Sequence, residues 1–349
     1  MVAMTAPSKV TRSARAGISP GGAYRARKFP VSDSAPVEVV EDGTSIAGRI
    51  ASLAAMLTIR PTLAIGSHVP HLPWPFGALN LAARVLRPAP GTIKATIALP
   101  HCTAQLIRAD GVLPADGTRS VILYLHGGAF LACGANTHGG LATSLSEYAD
   151  SPVLVVDYRM VPKHSVGTAV DDCYDAYLWL RRTGYEPEQI VVAGDSAGGY
   201  LGLALSERLL REDGEVPAAL VAMSPLYEID NRARAEHPNV RRDAMFPAKA
   251  FDALVEIVEA AAARNGEEVY EPLDHIEPGL PRTLIHVSGS EVLVSDARKA
   301  ARMLCAAGVP VEVRVWPGQM HVFQIAGNLV PEAKRSLRQI GAYIREATW

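Results

Sequence analysis

Ser196 stands in Gly194-Asp195-Ser196-Ala197-Gly198, a G-x-S-x-G arrangement that puts a serine on a sharp turn between a strand and a helix. Such a turn strains the serine backbone and presents its hydroxyl as a nucleophile for acyl transfer. Its neighbours, Asp195 included in the motif, are small or short because the helix packs close behind. Seventy residues earlier (196 − 126), His126-Gly127-Gly128-Ala129-Phe130 follows an apolar run directly. Acyl transfer needs hydrogen-bond donors where the negative oxygen of the tetrahedral intermediate develops, and backbone N–H groups serve without reorganisation. Two glycines let such a backbone approach a substrate. The expected donors are the N–H groups of Gly127, Gly128 and Ala197. His126 is read as holding this loop by hydrogen bonding, in preference to acting as a base or metal ligand.

A serine hydroxyl needs a base, and the base needs an acid to orient it. With an elbow of this kind, the acid and then the histidine follow the serine along the chain. His237, His275, His286 and His321 follow Ser196. His237 and His275 fall in an irregular stretch, and His286 sits inside an apolar strand as a core residue. His321 follows the last strand through Trp316-Pro317-Gly318-Gln319-Met320, on a loop where catalytic side chains are expected. Two carboxylates follow the preceding strand, Glu291 and Asp296. Asp296 also suits the N-cap of the next helix. Glu291 comes sooner after the strand and has no evident structural duty, so position favours it as the acid, with Asp296 as the alternative.

These residues need a scaffold, and from about residue 119 the chain reads as one. Strands are expected at Val121–Leu125, Val153–Asp157, Ile190–Ala193, Ala219–Met223, Thr283–Val287 and Val311–Val315. Helices are expected at 141–148, 169–182, 200–210, 249–264, 296–307 and 332–348. This alternation implies an α/β fold with a mostly parallel central sheet and helices on both faces. The expected organisation is a disordered basic tail and linker over 1–45, an N-terminal cap segment over 46–100, and a catalytic domain over 101–349 with an insertion near 225–280. Within the cap segment, 47–58 suits an amphipathic helix, and the proline-rich stretch 68–76 cannot be sheet core. Leu72, Trp74, Phe76, Phe130, Phe246 and Phe251 are candidate pocket liners, each equally explained by core packing.

The chain has 349 residues, 48% of them hydrophobic, and a net charge of −2. That allows a sizeable core and argues against nucleic-acid binding. Its four cysteines form no C-x-x-C pair, so neither a zinc site nor a disulfide framework is expected, and they read as buried thiols of a reducing compartment. Lys9, Arg12, Arg15, Arg25, Arg27 and Lys28 precede the first acid, Asp33, without an apolar stretch behind them. That does not read as a secretory signal. No integral membrane segment is expected, and the expected location is cytoplasmic, with cell-envelope association left open.

Four motifs together resemble the hormone-sensitive lipase family of α/β-hydrolases, the bacterial family IV esterases. They are His126 to Phe130, Asp157-Tyr158-Arg159 with Pro162-Lys163-His164, Gly194 to Gly199, and Pro317 to Phe323. They run in the family's order over about 119–345. The resemblance implies an α/β-hydrolase fold with an N-terminal cap, and serine ester hydrolysis without a metal or cofactor. The substrates implied are small-molecule or lipid esters. The family's acid begins a D-x-L segment 30 residues before the histidine. Here 321 − 291 = 30 and 321 − 296 = 25, so Glu291-Val292-Leu293 takes that place with Glu for Asp. Ala129 replaces a third glycine, and Lys163 replaces a glutamate. Homodimerisation through an exposed edge strand is a further implication of the resemblance. The residues and the resemblance together lead to a carboxylic-ester hydrolase of short to medium acyl esters using Ser196, His321 and Glu291. An amide or lipid-ester hydrolase on the same triad, or a non-catalytic ligand-binding homologue, is the alternative.

Overall fold

A computed structural model describes residues 35–70, 83, 89–247 and 249–348. Among the described residues, nine strands form one sheet in the order β1-β9-β8-β7-β6-β4-β5-β3-β2. They are β1 (Val37–Val40), β2 (Ile93–Ala98), β3 (Thr103–Arg108), β4 (Val121–Leu125), β5 (Val153–Asp157), β6 (Ile190–Asp195), β7 (Ala219–Met223), β8 (Thr283–Ser288) and β9 (Val311–Trp316). The pairs from β5 across to β1 are parallel, while β3 runs antiparallel to β5, and β2 to β3.

Alternation sorts the strand side chains to two faces. Val121, Leu123 and Leu125 of β4 enter one core cluster, while Ile122 and Tyr124 enter another. Because both faces are covered, every residue of β4 is buried. This explains why the central strands are apolar throughout rather than alternating. The covering helices are α2 (Gly139–Ala149), α3 (Val166–Arg182), α4 (Ala197–Asp213), α6 (Val294–Ala306) and α7 (Pro331–Thr348). The first core cluster takes in residues of α3 and α4, and the second takes in residues of α2 and α7.

Outside this frame lie α1 (Ile46–His68) and α5 (Ala250–Asn265), which pack on each other. Ser45 caps α1, accepting the Gly48 N–H at 3.1 Å. Its own N–H and hydroxyl donate to Glu332 of α7 at 2.6 and 2.8 Å. The helix starts there because Ser45 satisfies an orphan donor while Glu332 holds Ser45 in place.

Three expectations are corrected. Residues 37–40 are not linker: they form edge strand β1, parallel to β9. Residues 93–98 are not cap but sheet, paired with β3. Of the cysteines, only Cys173 is buried, and the other three are half-buried. One helix among the described residues, Ile46–His68, is long and apolar enough by length and composition to cross a membrane, and it packs on α5 within the protein's own fold. The rest of the tail, residues 1–34, lies outside the described residues, as does the 71–76 part of the proline-rich stretch.

Candidate active site

Each functional side chain hangs from the C-terminal end of a parallel strand. Ser196 follows β6 with φ 52° and ψ −119°, a conformation that non-glycine residues rarely adopt. Neighbouring backbone holds it there. The Ser196 N–H donates to Met223 O at 2.9 Å, and the Ser196 carbonyl accepts from Gly199 and Leu226 at 2.9 and 3.0 Å. The helix behind the turn lies so close that a Cβ on Gly198 would stand 1.8 Å from Leu125 O. That contact is why the motif ends in glycine.

His321 follows β9. Its Nδ1 is 2.5 Å from Glu291 Oε2, and both residues are buried. Glu291 Oε1 in turn accepts the Ser224 hydroxyl at 2.7 Å and the Ser288 N–H at 2.8 Å. Burial works against the charged imidazole. Glu291, with the nearby Asp243 and Asp195, outweighs that and raises the His321 pKa above its ordinary value. The ring packs edge-on against Phe246, with centroids 4.7 Å apart.

Phe246 links His321 to the nucleophile, because Phe246 and Ser196 line the same cavity of about 170 Å³. Its other walls include Ala129, Leu131, Leu226, Phe251, Leu254 and Ile257, with Thr62, Leu63, Gly66 and Ser67 from α1. The two helices outside the sheet frame, α1 and α5, therefore roof the serine. Of the candidate liners, Phe246 and Phe251 are in the wall. Phe130 is fully buried and packs edge-to-face on Tyr200 instead. Leu72, Trp74 and Phe76 lie outside the described residues.

Asp195 organises the loop after β4. It accepts the Tyr124 hydroxyl at 2.6 Å and the Gly127 N–H at 3.0 Å, and His138 Nε2 lies 3.2 Å from it. Burial disfavours its charge, but His138 and the Tyr124 hydroxyl lower its pKa on balance. The Gly127 N–H is thus already engaged, which corrects its expected role as an oxyanion donor. Among the described residues, no acceptor takes the N–H groups of Gly128, Ala129 or Ala197. Gly128 has φ 110° and Ala129 φ 56°, so the loop turns its backbone in the left-handed region beside the serine. His126 sits at the base of this loop. It is buried, stacks on Tyr158 at 4.3 Å, and accepts at its carbonyl from the Tyr158 hydroxyl at 2.7 Å. Burial lowers its pKa to about 4.

Asp296 is not the N-cap of its helix, since α6 begins at Val294 after Leu293. Its buried carboxylate meets Arg234 at 2.7 Å and accepts the N–H groups of Tyr227 and Glu228. It is spent on pinning the segment after β7, and Glu291 is the carboxylate at His321. His286 is a core residue as expected, buried and bonded to Ser336 and Trp316.

Sequence reading missed a bracket that supports the acid. The side chain of Asn239 donates to the carbonyls of Gly289 and Glu291, both at 2.9 Å. The carboxylate of Asp243 accepts from Met245, Phe246 and Val292 at 2.8, 2.9 and 2.9 Å. From α1, the Arg60 guanidinium donates to the carbonyls of Asp243 and Val240. Ser224, φ 48°, was also missed. Its place just past a strand end was the one available signal. The bracket had none, because its long-range joins run from 49 to 183 positions along the chain. Among the described residues, His101, Asp172 and Asp175 gather ligand-type atoms. Asp172, however, is taken by the Arg159 guanidinium at 2.7 Å.

Residues 122–325 match a family model described as the alpha/beta hydrolase fold. The chain is 66% identical to Esterase LipU of Mycobacterium tuberculosis over 297 residues, 84% of this chain and all of that one. It is 60% identical to Carboxylesterase/phospholipase LipF of the same organism, over 90% of this chain and 86% of that one. A crystal structure of an esterase from the bacterial hormone-sensitive lipase family superposes with TM-score 0.71 at 26% identity, covering 85% of this chain and 99% of that one.

Proposed function

This chain belongs to the hormone-sensitive lipase family of α/β-hydrolases and is an esterase, and we propose that it cleaves carboxylic esters through Ser196, His321 and Glu291. Ser196 Oγ attacks the ester carbonyl while His321 Nε2 takes its proton. Glu291 holds Nδ1–H and stabilises the imidazolium. The negative oxygen of the tetrahedral intermediate accepts from the N–H groups of Gly128, Ala129 and Ala197. Collapse breaks the ester C–O bond, and His321 returns the proton to the departing alcohol. Water, deprotonated by the same histidine, then attacks the acyl-enzyme and releases the acid and Ser196.

The observation that carries this reading is the Glu291–His321 contact at 2.5 Å, with the imidazole packed on Phe246 at the edge of the serine's cavity. The mostly apolar wall and limited volume suit short to medium acyl chains. A lipid ester is the second substrate reading, favoured by the likeness to a relative named as a carboxylesterase/phospholipase. A fluorophosphonate probe tests the nucleophile. Labelling is expected at Ser196 and lost in Ser196→Ala, together with hydrolysis of p-nitrophenyl butyrate. Turnover by Ser196→Ala at the wild-type rate would refute the assignment.

A further inference from the structure

The outward face of α1 is apolar where a surface helix is normally polar. Ile46, Ile50, Leu53, Leu57 and Ile65 recur at spacings of three, four and eight, one stripe of a 3.6-residue period, and all five side chains are exposed. Exposure reaches 77% at Ile46 and 68% at Leu57. An apolar stripe along a 23-residue helix is far more than the scattered exposed leucine of an ordinary surface. The helix carries two arginines: Arg49, which is exposed, and Arg60, whose guanidinium turns inward to the carbonyls of Asp243 and Val240. On another side of the same helix, Leu63 and Gly66 line the cavity that holds Ser196.

Charge decides what covers this face. The chain ahead of β1 carries Lys9, Arg12, Arg15, Arg25, Arg27 and Lys28, with no acid before Asp33. Two copies meeting on α1 would bring two such basic segments together, which repel. An anionic lipid surface attracts them, and an apolar helix face joined to a basic segment supplies the two signals that stable surface attachment requires. We propose that α1 lies on an anionic lipid surface through Ile46, Ile50, Leu53, Leu57 and Ile65, assisted by the basic N-terminal segment. The helix spans no bilayer in this arrangement, because its other side packs on α5 and roofs the cavity. Resting on the hydrolase reading above, this makes the substrate class an amphiphilic ester drawn from that surface alongside α1.

Flotation of the full chain tests this, using Ser196→Ala so that vesicles stay intact. Vesicles of phosphatidylcholine alone are compared with vesicles carrying about one third phosphatidylglycerol. The full chain should float with the anionic vesicles and be released by high salt. Ile50→Glu/Leu53→Glu/Leu57→Glu should cut the bound fraction at least about tenfold. The same triple change in the active chain should leave p-nitrophenyl butyrate turnover unchanged, since none of the three side chains lines the cavity. Leu57→Glu alone should act in the same direction if the triple variant unfolds. Failure of the full chain to float with anionic vesicles overturns the proposal, as does equal flotation of the folded stripe variant. So does a wild-type dimer that the stripe variant converts to monomer in sedimentation velocity, since a second copy would then cover the face. Flotation is read without turnover, so loss of the hydrolase reading is seen separately in the butyrate assay.

Discussion

The carboxylate of Asp243 accepts the N–H of Val292 at 2.9 Å, and Val292 is the residue next to Glu291. Asp243 thereby holds the acid loop by its backbone, and with its other oxygen it holds the N–H of Phe246, the ring against His321. One buried carboxylate positions both sides of the imidazole. It adds negative charge there as well, since His321 is faced by Glu291, Asp243 and Asp195.

Asp243→Asn keeps a similar shape but removes one acceptor and the charge. An unsatisfied buried N–H costs about 1–3 kcal/mol, so the midpoint of urea unfolding should fall measurably. With one anion fewer, the His321 pKa should drop, and the acid limb of the kcat/KM profile should move to lower pH. An unmoved acid limb would leave Asp243 a merely structural group.

The pH dependence of wild type follows from the sign of the His321 shift. Its folded pKa is raised above the unfolded value of 6.5 by Glu291 and its neighbours. The stabilising contribution of the pair is therefore full below about pH 6.5 and fades as pH rises through the folded pKa. Activity runs the other way, because the base must be neutral. The acid limb of kcat/KM should have its midpoint above 6.5, while thermal stability declines over that same interval. A midpoint below 6.5 in wild type would contradict the assignment.

Glu291 and Asp296 should separate cleanly by variant. Glu291→Gln keeps a hydrogen bond to the imidazole but favours the wrong tautomer, which in triads of this type lowers kcat by about 10⁴. Its unfolding midpoint should change little by comparison. Asp296→Ala leaves the guanidinium of Arg234 buried and unpaired, a loss of about 3–5 kcal/mol. Protein that remains folded should keep most of its kcat. Kinetics and denaturant unfolding on both variants decide this, and equal kcat losses would undo the distinction.

Asp195→Ala should act through the loop rather than the nucleophile. It strands the Gly127 N–H, the Tyr124 hydroxyl and His138 without their shared acceptor. The backbone of Gly128 and Ala129 would lose its anchor. Removing one oxyanion donor costs about 10²–10³ in rate, which bounds the expected fall in kcat. KM for p-nitrophenyl butyrate should move far less. A rise in KM with kcat intact would place the role of Asp195 in substrate binding instead.

The sequence by itself determined the parts of this protein that depend on near neighbours. Ser196 could be read because a strained turn demands Gly194 and Gly198 at fixed offsets. The central strands could be read because burial on both faces makes them uniformly apolar. His321 and Glu291 could be ordered along the chain because strand-end loops recur in sequence order. Strands β1 and β2 were missed because they are the exposed edges of the sheet and carry ordinary polar residues, as in Ile93–Ala98, and β3 because, next to the edge, it is only partly buried and keeps polar residues such as Gln105 and Arg108.

The tertiary structure alone decided which donor is already engaged and which carboxylate meets the histidine. Gly127 looked like an oxyanion donor until Asp195, 68 residues away, was seen to hold its N–H. Asp296 looked like a cap until Arg234, 62 residues away, was seen to claim it. The stripe on α1 is in the same position: its period is written in the chain, but which side of a helix stays uncovered depends on what packs against the other. Hydrogen-bond partners and burial are properties of distance in space, and no local pattern of residues encodes them.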